Sequence, residues 1–204
     1  MDINSYVDNV CLLARESSRE ISCITQTQKD SILNDLVNEI KKNREDIKSE
    51  NKIDIEALKK SENFAESFID RLLLNDLRID AMIDSIVEII AIDDPVGDIK
   101  ELKTMPSGIK VGKMSMPLGV IAMIYESRPN VTIDASALSI KSGNSIILRG
   151  GSESIRTNIV LEKCVKKALQ ENNVNTNAVQ LINKVDRKIV NELLVRNDSI
   201  DIVI

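Results

Sequence analysis

The 204-residue chain carries 27 Lys and Arg against 32 Asp and Glu, giving a formal net charge of −5, and it contains no histidine. Without an imidazole, Ser-His-Asp triads, Cys-His dyads and His-ligated zinc are excluded, and we expect no metal site. Aromatic residues make up only 2% of the chain, so that stacking rings on a basic patch, and hence nucleic-acid binding, are not expected.

Three widely spaced cysteines, Cys11, Cys23 and Cys164, form no CxxC pair and suggest no disulfide framework. This cysteine usage is typical of a reducing compartment, so we expect a cytoplasmic location. The sequence begins without the apolar segment of a signal peptide, and no apolar run is long enough to cross a membrane. Cys11 and Cys164 lie on apolar helix stripes, and we interpret all three thiols as chemically inert.

Glycine and proline are confined to the middle of the sequence. All seven glycines and all four prolines lie between residues 95 and 151. Because these residues mark turns, their distribution predicts a helical region over 1–94, a turn-rich connector with a strand or hairpin over 95–117, and a third region over 118–204.

The region 1–94 shows the spacing of amphipathic helices. Thr25 and Gln28 have the spacing of a capping box and predict a helix start, and Asp94-Pro95 ends the last helix. We expect these helices to pack on a neighbouring domain, and we find no catalytic chemistry among them. The apolar stripes are Val7, Val10, Cys11 and Ala14; Leu33, Leu36, Val37 and Ile40; Phe64, Phe68, Ile69 and Leu72; and Ile79, Met82, Ile83, Ile86 and Ile90.

The hydrophobic period changes from residue 108 onwards. Residues 109–116 alternate as in a half-exposed strand or hairpin, and the apolar run over 118–124 predicts a strand buried on both faces. Further strands over 145–148, 179–182 and 200–204 alternate with helices, the first of which ends at Gly143. This order predicts an α/β fold with a Rossmann-like parallel sheet. The apolar IDIVI end has no following turn, and we expect the sequence to be cut within its last strand.

Two loops follow predicted strands, where open parallel sheets bind ligands. The first, the ESRPN loop (residues 126–130), places a guanidinium, a hydroxyl and an amide before a helix, which suits an anionic or carbonyl oxygen. The alternative is a loop in which Asn130 or Thr132 caps the helix and Arg128 is solvated.

The second loop, the RGGSE loop (residues 149–153), combines Arg149, a glycine pair and Ser152. The glycines allow close approach of the backbone to a ligand, Arg149 can bind phosphate or ribose, and Ser152 can cap the next helix. The alternative is a tight strand-to-helix turn with a solvated arginine. Neither a GxGxxG fingerprint nor a GxxxxGK[ST] loop occurs in the sequence.

The residues around both loops resemble a known family. The segment 116–158, MPLGVIAMIYESRPNVTIDASALSIKSGNSIILRGGSESIRTN, is similar to the signature region of the gamma-glutamyl phosphate reductase (glutamate-5-semialdehyde dehydrogenase) family, within the aldehyde dehydrogenase superfamily. FAESFIDRLLLNDLRI and DDPVGDI before it, and VDRKIVNELLVRNDSIDIVI after it, fit the same family in order. The resemblance covers effectively the whole chain, which corresponds to the family's N-terminal helices and most of its cofactor domain, without the catalytic half.

The resemblance implies an oxidoreductase that converts L-glutamyl 5-phosphate to L-glutamate 5-semialdehyde and phosphate with NADPH, in proline biosynthesis. In the family, a cysteine thiolate attacks the acyl phosphate, and hydride from NADPH reduces the thioacyl intermediate. That cysteine lies in the catalytic domain, beyond residue 204, and none of the three cysteines here occupies its position. We therefore expect this chain alone to be inactive. The alternative function is a non-catalytic nucleotide- or partner-binding fragment with the same fold.

The resemblance also implies roles for individual residues. Arg149 takes the place of the superfamily lysine that contacts the adenosine ribose, and Ser152 or Glu153 falls near the position that influences the 2′-phosphate. Together with Gly150 and Gly151 they form the implied NADPH site.

The ESRPN loop is implied to hold the substrate through Ser127 and Arg128. Asn130 is the candidate for the superfamily's catalytic amide, although a gapless count places Glu126 there. A homo-oligomer and functional coupling to glutamate 5-kinase are implied as well.

Overall fold

The computed structural model describes residues 2–60 and 66–204, and five of its helices precede Pro95. Most residues of the predicted stripes are buried on these helices. Ile69 and Ile90 are half-buried, Phe68 is exposed, and Phe64 lies outside the described residues. A helix over Arg44–Lys59 was not singled out in the sequence. The five helices are α1 (Ile3–Ile21), α2 (Gln26–Lys42), α3 (Arg44–Lys59), α4 (Glu66–Leu72) and α5 (Asp76–Ala91).

The start of α2 confirms the predicted capping box. The Gln28 N–H donates to Thr25 Oγ1 at 3.3 Å, and the Thr25 N–H donates to Gln28 Oε1 at 3.4 Å. One turn further, the ammonium group of Lys29 is buried and donates to both carboxylate oxygens of Asp94, at 2.9 and 2.8 Å. This ion pair ties α2 to the connector that follows α5.

The connector contains an antiparallel hairpin of β1 (Ile99–Thr104) and β2 (Lys110–Met114). The predicted hairpin is confirmed, but β1 begins well before residue 108, where the sequence pattern changes. Every residue of both strands is exposed. With neither face buried, β1 carries no hydrophobic alternation that could reveal it.

The remaining strands form the predicted parallel sheet, in the order β5-β4-β3-β6. Three strands are shorter than predicted, and of these β5 lacks only residue 182. Strand β3 starts only after Gly119, which has a φ of +118°, and β6 comprises two residues of the predicted 200–204. The elements are β3 (Val120–Ile124), α6 (Asn130–Lys141), β4 (Ser145–Arg149), α7 (Ile155–Glu171), β5 (Val179–Leu181), α8 (Lys188–Leu194) and β6 (Ile202–Val203).

Helices cover both faces of this sheet. Val120, Ala122 and Ile147 pack with α1 and α8, whereas Ile121 and Ile146 belong to the larger core formed with the other helices. Because alternate residues of a strand point to opposite faces, this division explains the continuous apolar run in β3. The front helices thus share cores with the sheet, and the boundaries at residues 94 and 117 stay a prediction.

Over residues 2–60 and 66–204, no helix is both long and apolar enough to span a lipid bilayer.

Candidate functional site

The ESRPN and RGGSE loops lie side by side at the carboxyl edge of the sheet. Strands β3 and β4 are parallel and pair Ile124 with Arg149, so they end at the same level. Their following segments therefore meet at the edge where open parallel sheets bind ligands. The structure brings together the two loops that the sequence singled out.

A buried serine links the loops directly. The backbone N–H and the hydroxyl of Ser127 each donate to Glu153 Oε1 at 2.7 Å. Ser127 is 1% exposed and has a φ of 49°, in the left-handed region that is unfavourable for a residue with a side chain. The two charge-assisted hydrogen bonds offset this backbone strain. Glu153 is thus held toward the ESRPN loop.

Arg149 is buried at the end of β4, and the predicted alternative of a solvated arginine is wrong. Its side chain is 9% exposed, and Nη1 donates to the Gly150 carbonyl oxygen. Its Nε is buried and has no hydrogen-bond partner among the described residues. Since buried donors are almost always paired, this N–H marks a place that suits an anionic or hydroxyl-bearing ligand.

A cleft of about 500 Å³ opens beside Arg149. It is lined by the RGGSE loop, by Glu126 and by two cations from the start of α8, Arg187 and Lys188. Sequence reasoning missed this basic pair. Its signal was present, since the two residues follow β5, whose carboxyl end lies at the same edge of the sheet.

Gly150 and Gly151 leave space that side chains of the protein itself occupy. A Cβ at Gly150 would overlap the buried Asn158 amide, and a Cβ at Gly151 would overlap the Glu153 carboxyl group. Close approach of a ligand was the predicted reason for these glycines, but these contacts already account for them.

Both predicted helix caps differ in the structure. Helix α6 begins at Asn130 without a side-chain cap, and Thr132 is buried against Tyr125, with 2.6 Å between the two hydroxyl oxygens. Burial raises the pKa of Tyr125 to about 12, so this phenol stays neutral. Ser152 is exposed and opens a 3-10 turn, while α7 starts at Ile155. The turn separates Ser152 from the helix that it was expected to cap.

Asn130 and Arg128 line a second cavity, of about 330 Å³, together with residues of α4 and α5. Nδ2 of Asn130 donates to Asp134 Oδ2 at 2.9 Å, and Ser85 Oγ donates to the other oxygen of this carboxyl group at 3.2 Å. Asn130 therefore faces a different cavity from Arg149. Glu126, its alternative as the catalytic residue, lines the cleft with Arg149.

Two of the three cysteines are poor nucleophiles in this structure. Burial raises the pKa of Cys11 to about 11 and that of Cys164 to about 12, so both thiols are protonated at neutral pH. Cys23 is exposed just after α1. None of them lines the cleft beside Arg149. Among the described residues, no cluster of three or more Cys, Asp or Glu could hold a metal ion.

Comparison with known proteins identifies relatives over almost the whole chain. The gamma-glutamyl phosphate reductase of Colwellia psychrerythraea is 44% identical over 191 residues, which are 94% of this chain and 46% of that protein. The chain spans about half the length of the curated relatives it matches. No family model matches the chain.

Solved structures agree with these relatives. The crystal structure of gamma-glutamyl phosphate reductase from Thermotoga maritima matches with a TM-score of 0.93 and 32% identity, over 97% of this chain and 47% of that one. Glyceraldehyde-3-phosphate dehydrogenase from Methanocaldococcus jannaschii, complexed with NADP, shares the fold with a TM-score of 0.70 and 18% identity, over 98% of this chain and 41% of that one. The chain is therefore similar over almost its whole length to about half of gamma-glutamyl phosphate reductase, and it shares the fold of the aldehyde dehydrogenase structures.

Proposed function

We propose that this chain forms the cofactor-binding part of an enzyme that reduces L-glutamyl 5-phosphate to L-glutamate 5-semialdehyde and phosphate in proline biosynthesis. NADPH is the proposed cofactor, and it would supply the hydride. The observation that carries the proposal is the buried Arg149 guanidinium, whose unpartnered Nε lies beside a cleft at the carboxyl edge of a Rossmann-like sheet. The relatives' names supply the reaction and the substrate.

The basic side chains of the cleft favour NADPH, which carries a 2′-phosphate, over NADH, which does not. Arg149, Arg187 and Lys188 line it together with the exposed Ser152. These groups can bind a 2′-phosphate through charge-assisted hydrogen bonds. An acid that grips both ribose hydroxyls would oppose that phosphate, but the Glu153 carboxylate already accepts two hydrogen bonds from Ser127. In this proposal, Gly150 and Gly151 shape the loop beneath the ribose.

The substrate would lie on the other side of the ESRPN loop. Ser127 and Arg128 are the proposed substrate-binding residues, and Asn130 is the proposed catalytic amide. An amide N–H near the reacting carbonyl would stabilise the developing oxyanion, and the hydrogen bond to Asp134 would orient Asn130 for this role.

The hairpin supports the proposed homo-oligomer. Its two strands expose apolar side chains, including Ile99, Leu102 and Val111, and a two-stranded sheet is marginally stable alone. A second copy of the chain would cover this surface. The cytoplasmic location and the coupling to glutamate 5-kinase belong to the same proposal.

The cofactor proposal is tested by titrating the chain with NADPH and NADH. We expect Arg149→Met to weaken NADPH binding by about ten- to hundredfold and NADH binding less, because one charge-assisted phosphate contact is worth about 1.5–3 kcal/mol. Arg19→Met, on an exposed helix end, is the matched control. Equal losses of affinity for NADPH and NADH would show that Arg149 does not contact the 2′-phosphate. No loss of affinity for either nucleotide would refute a role of Arg149 in cofactor binding.

Turnover is a separate test. We expect no reduction of NADP⁺ by the chain with glutamate 5-semialdehyde and phosphate, because Cys11 and Cys164 are buried and protonated and the exposed Cys23 does not line the cleft. The same observation favours a second candidate function, a non-catalytic nucleotide-binding protein. Turnover that Cys164→Ser abolishes would contradict both the inactivity and the second candidate.

A further inference from the structure

The cavity of about 330 Å³ beside the ESRPN loop is lined by ionisable groups of both signs. It lies between α4, α5 and the start of α6, and its volume is within the range of small-molecule pockets. Its ionisable residues are the arginines Arg71, Arg78 and Arg128 and the acids Asp70 and Asp134.

Arg78 and Asp70 neutralise each other and form part of the cavity lining. Arg78 forms an ion pair with Asp70 at 2.6 Å, and Arg78 also donates to the Leu73 carbonyl oxygen at 3.1 Å. Buried Asn51 holds the same segment, accepting from the Leu74 N–H and donating to the Leu72 carbonyl oxygen, both at 2.8 Å. The connection from α4 to α5 is therefore fixed in place.

The other three ionisable groups have no partner of opposite charge within residues 2–60 and 66–204. Among the described residues, no ion pair reaches Arg71, Arg128 or Asp134, although Arg71 lies over the Phe68 ring at 5.9 Å. Within the described part of the chain, Asp134 accepts hydrogen bonds from the neutral groups of Asn130 and Ser85 alone. Its burial raises the pKa of this carboxyl group, so a cation placed beside it would be stabilising. The cavity thus combines an unneutralised carboxylate with unneutralised guanidinium groups.

We propose that this cavity binds the α-ammonium and α-carboxylate groups of an amino-acid substrate. Asp134 accepts from the ammonium, and Arg128, with Arg71 beside it, binds the carboxylate. This inference rests on the proposed function and deepens it, because it assigns which end of the substrate enters the cavity. Glu126 lines the cleft while Arg128 and Asn130 line the cavity, so one loop would lie between the cofactor and the amino-acid end.

The test compares L-glutamate with two analogues by calorimetric titration of the chain. Glutarate lacks the ammonium group, and 4-aminobutyrate lacks the α-carboxylate. We expect L-glutamate to bind and each analogue to bind about ten- to hundredfold more weakly, as the loss of one charged contact requires. Binding of L-glutamate no tighter than both analogues, or no binding at all, would overturn the inference.

Two variants assign the contacts. Arg128→Gln should abolish the preference over 4-aminobutyrate, and Asp134→Asn should abolish the preference over glutarate, while Arg19→Gln, on α1, leaves both unchanged. Inorganic phosphate is the competitor: displacement of L-glutamate from Arg128 by millimolar phosphate would place the phosphoryl end in this cavity and refute the assignment. An NADPH titration of the same variants keeps the cofactor proposal separate, because we expect its affinity to stay constant in all of them.

Discussion

The hairpin and the parallel sheet both form backbone hydrogen bonds between strands, but the hairpin is exposed to solvent and most of the sheet is buried. All residues of β1 and β2 are exposed, whereas β4 is buried along its whole length. Hydrogen bonding alone contributes little net stability to either, since the unfolded chain bonds to water instead. Burial on both faces stabilises the sheet, whereas the exposed hairpin is held at its base by Asp94, which pairs with Lys29 and accepts from the Val96 N–H. The same secondary structure therefore has two different origins in one chain.

The largest effect should come from an identical substitution in the two regions. Ile147→Ala in β4 removes a fully buried side chain and should lower the free energy of unfolding by about 2–5 kcal/mol. Ile99→Ala in β1 removes the same atoms from a side chain that is exposed in the single chain, and it should cost the monomer less than about 0.5 kcal/mol. Urea denaturation followed by circular dichroism measures both. Similar losses would show that the hairpin is packed in solution.

The next effect concerns the ion pair at the base of the hairpin. Lys29→Met leaves Asp94 without its buried partner and should cost about 2–3 kcal/mol, at the lower end for buried pairs because Asp94 is partly exposed. Lys42→Met on the same helix removes an exposed lysine whose partner, Glu39, is buried but keeps a hydrogen bond from Asn43, and it should cost less than about 1 kcal/mol. Equal costs would mean that the connector is not held by this pair.

The cost of Lys29→Met should depend on pH, and this dependence tests whether the ion pair with Asp94 is its cause. Burial raises the pKa of Asp94, but its hydrogen bonds with Lys29 and the Val96 N–H outweigh this, and the pKa is lowered. The stabilisation is therefore complete above the unfolded-state pKa of about 3.9 and is lost as the pH falls through the lower folded-state value. We expect the difference between wild type and Lys29→Met to shrink as the pH falls below about 4. A constant difference would contradict this mechanism.

The smallest effect should stay within the hairpin. Gly108 has a φ of +85° and open space around it, so Gly108→Ala adds backbone strain of about 1–2 kcal/mol without a clash. Because the hairpin is exposed, faster hydrogen exchange should be confined to the amides of β1 and β2, with Ser107→Ala as the control. A fall in global stability would show that the hairpin and the sheet unfold together.

The sequence predicts those features that leave a local pattern. The capping box at Thr25 and the apolar run of β3 fix a helix start and a doubly buried strand, and Gly143, at a φ of +71°, ends α6 as expected. Strand β1 was not predicted, because a strand that is exposed on both faces shows no alternation of apolar and polar residues.

The site was predictable only as two loops. The hydrogen bonds between Ser127 and Glu153 join residues 26 apart, and no spacing rule connects them. The solvated Arg149 of the alternative interpretation failed for a related reason, since its burial depends on neighbouring elements. Nothing in the helical stripes indicated that Arg71 and Arg78 would line a cavity with Arg128.

The hydrogen bonds between Ser127 and Glu153 also have a thermodynamic consequence. A ligand that bonds to the Glu153 carboxylate competes with Ser127 and so alters the loop that carries Arg128. Linkage makes this effect reciprocal. If the ligand changes the affinity for a second ligand by some factor, the second ligand changes the affinity for the first by the same factor. One carboxylate oxygen thus makes the two loops a single coupled unit, with one coupling free energy shared by both ligands.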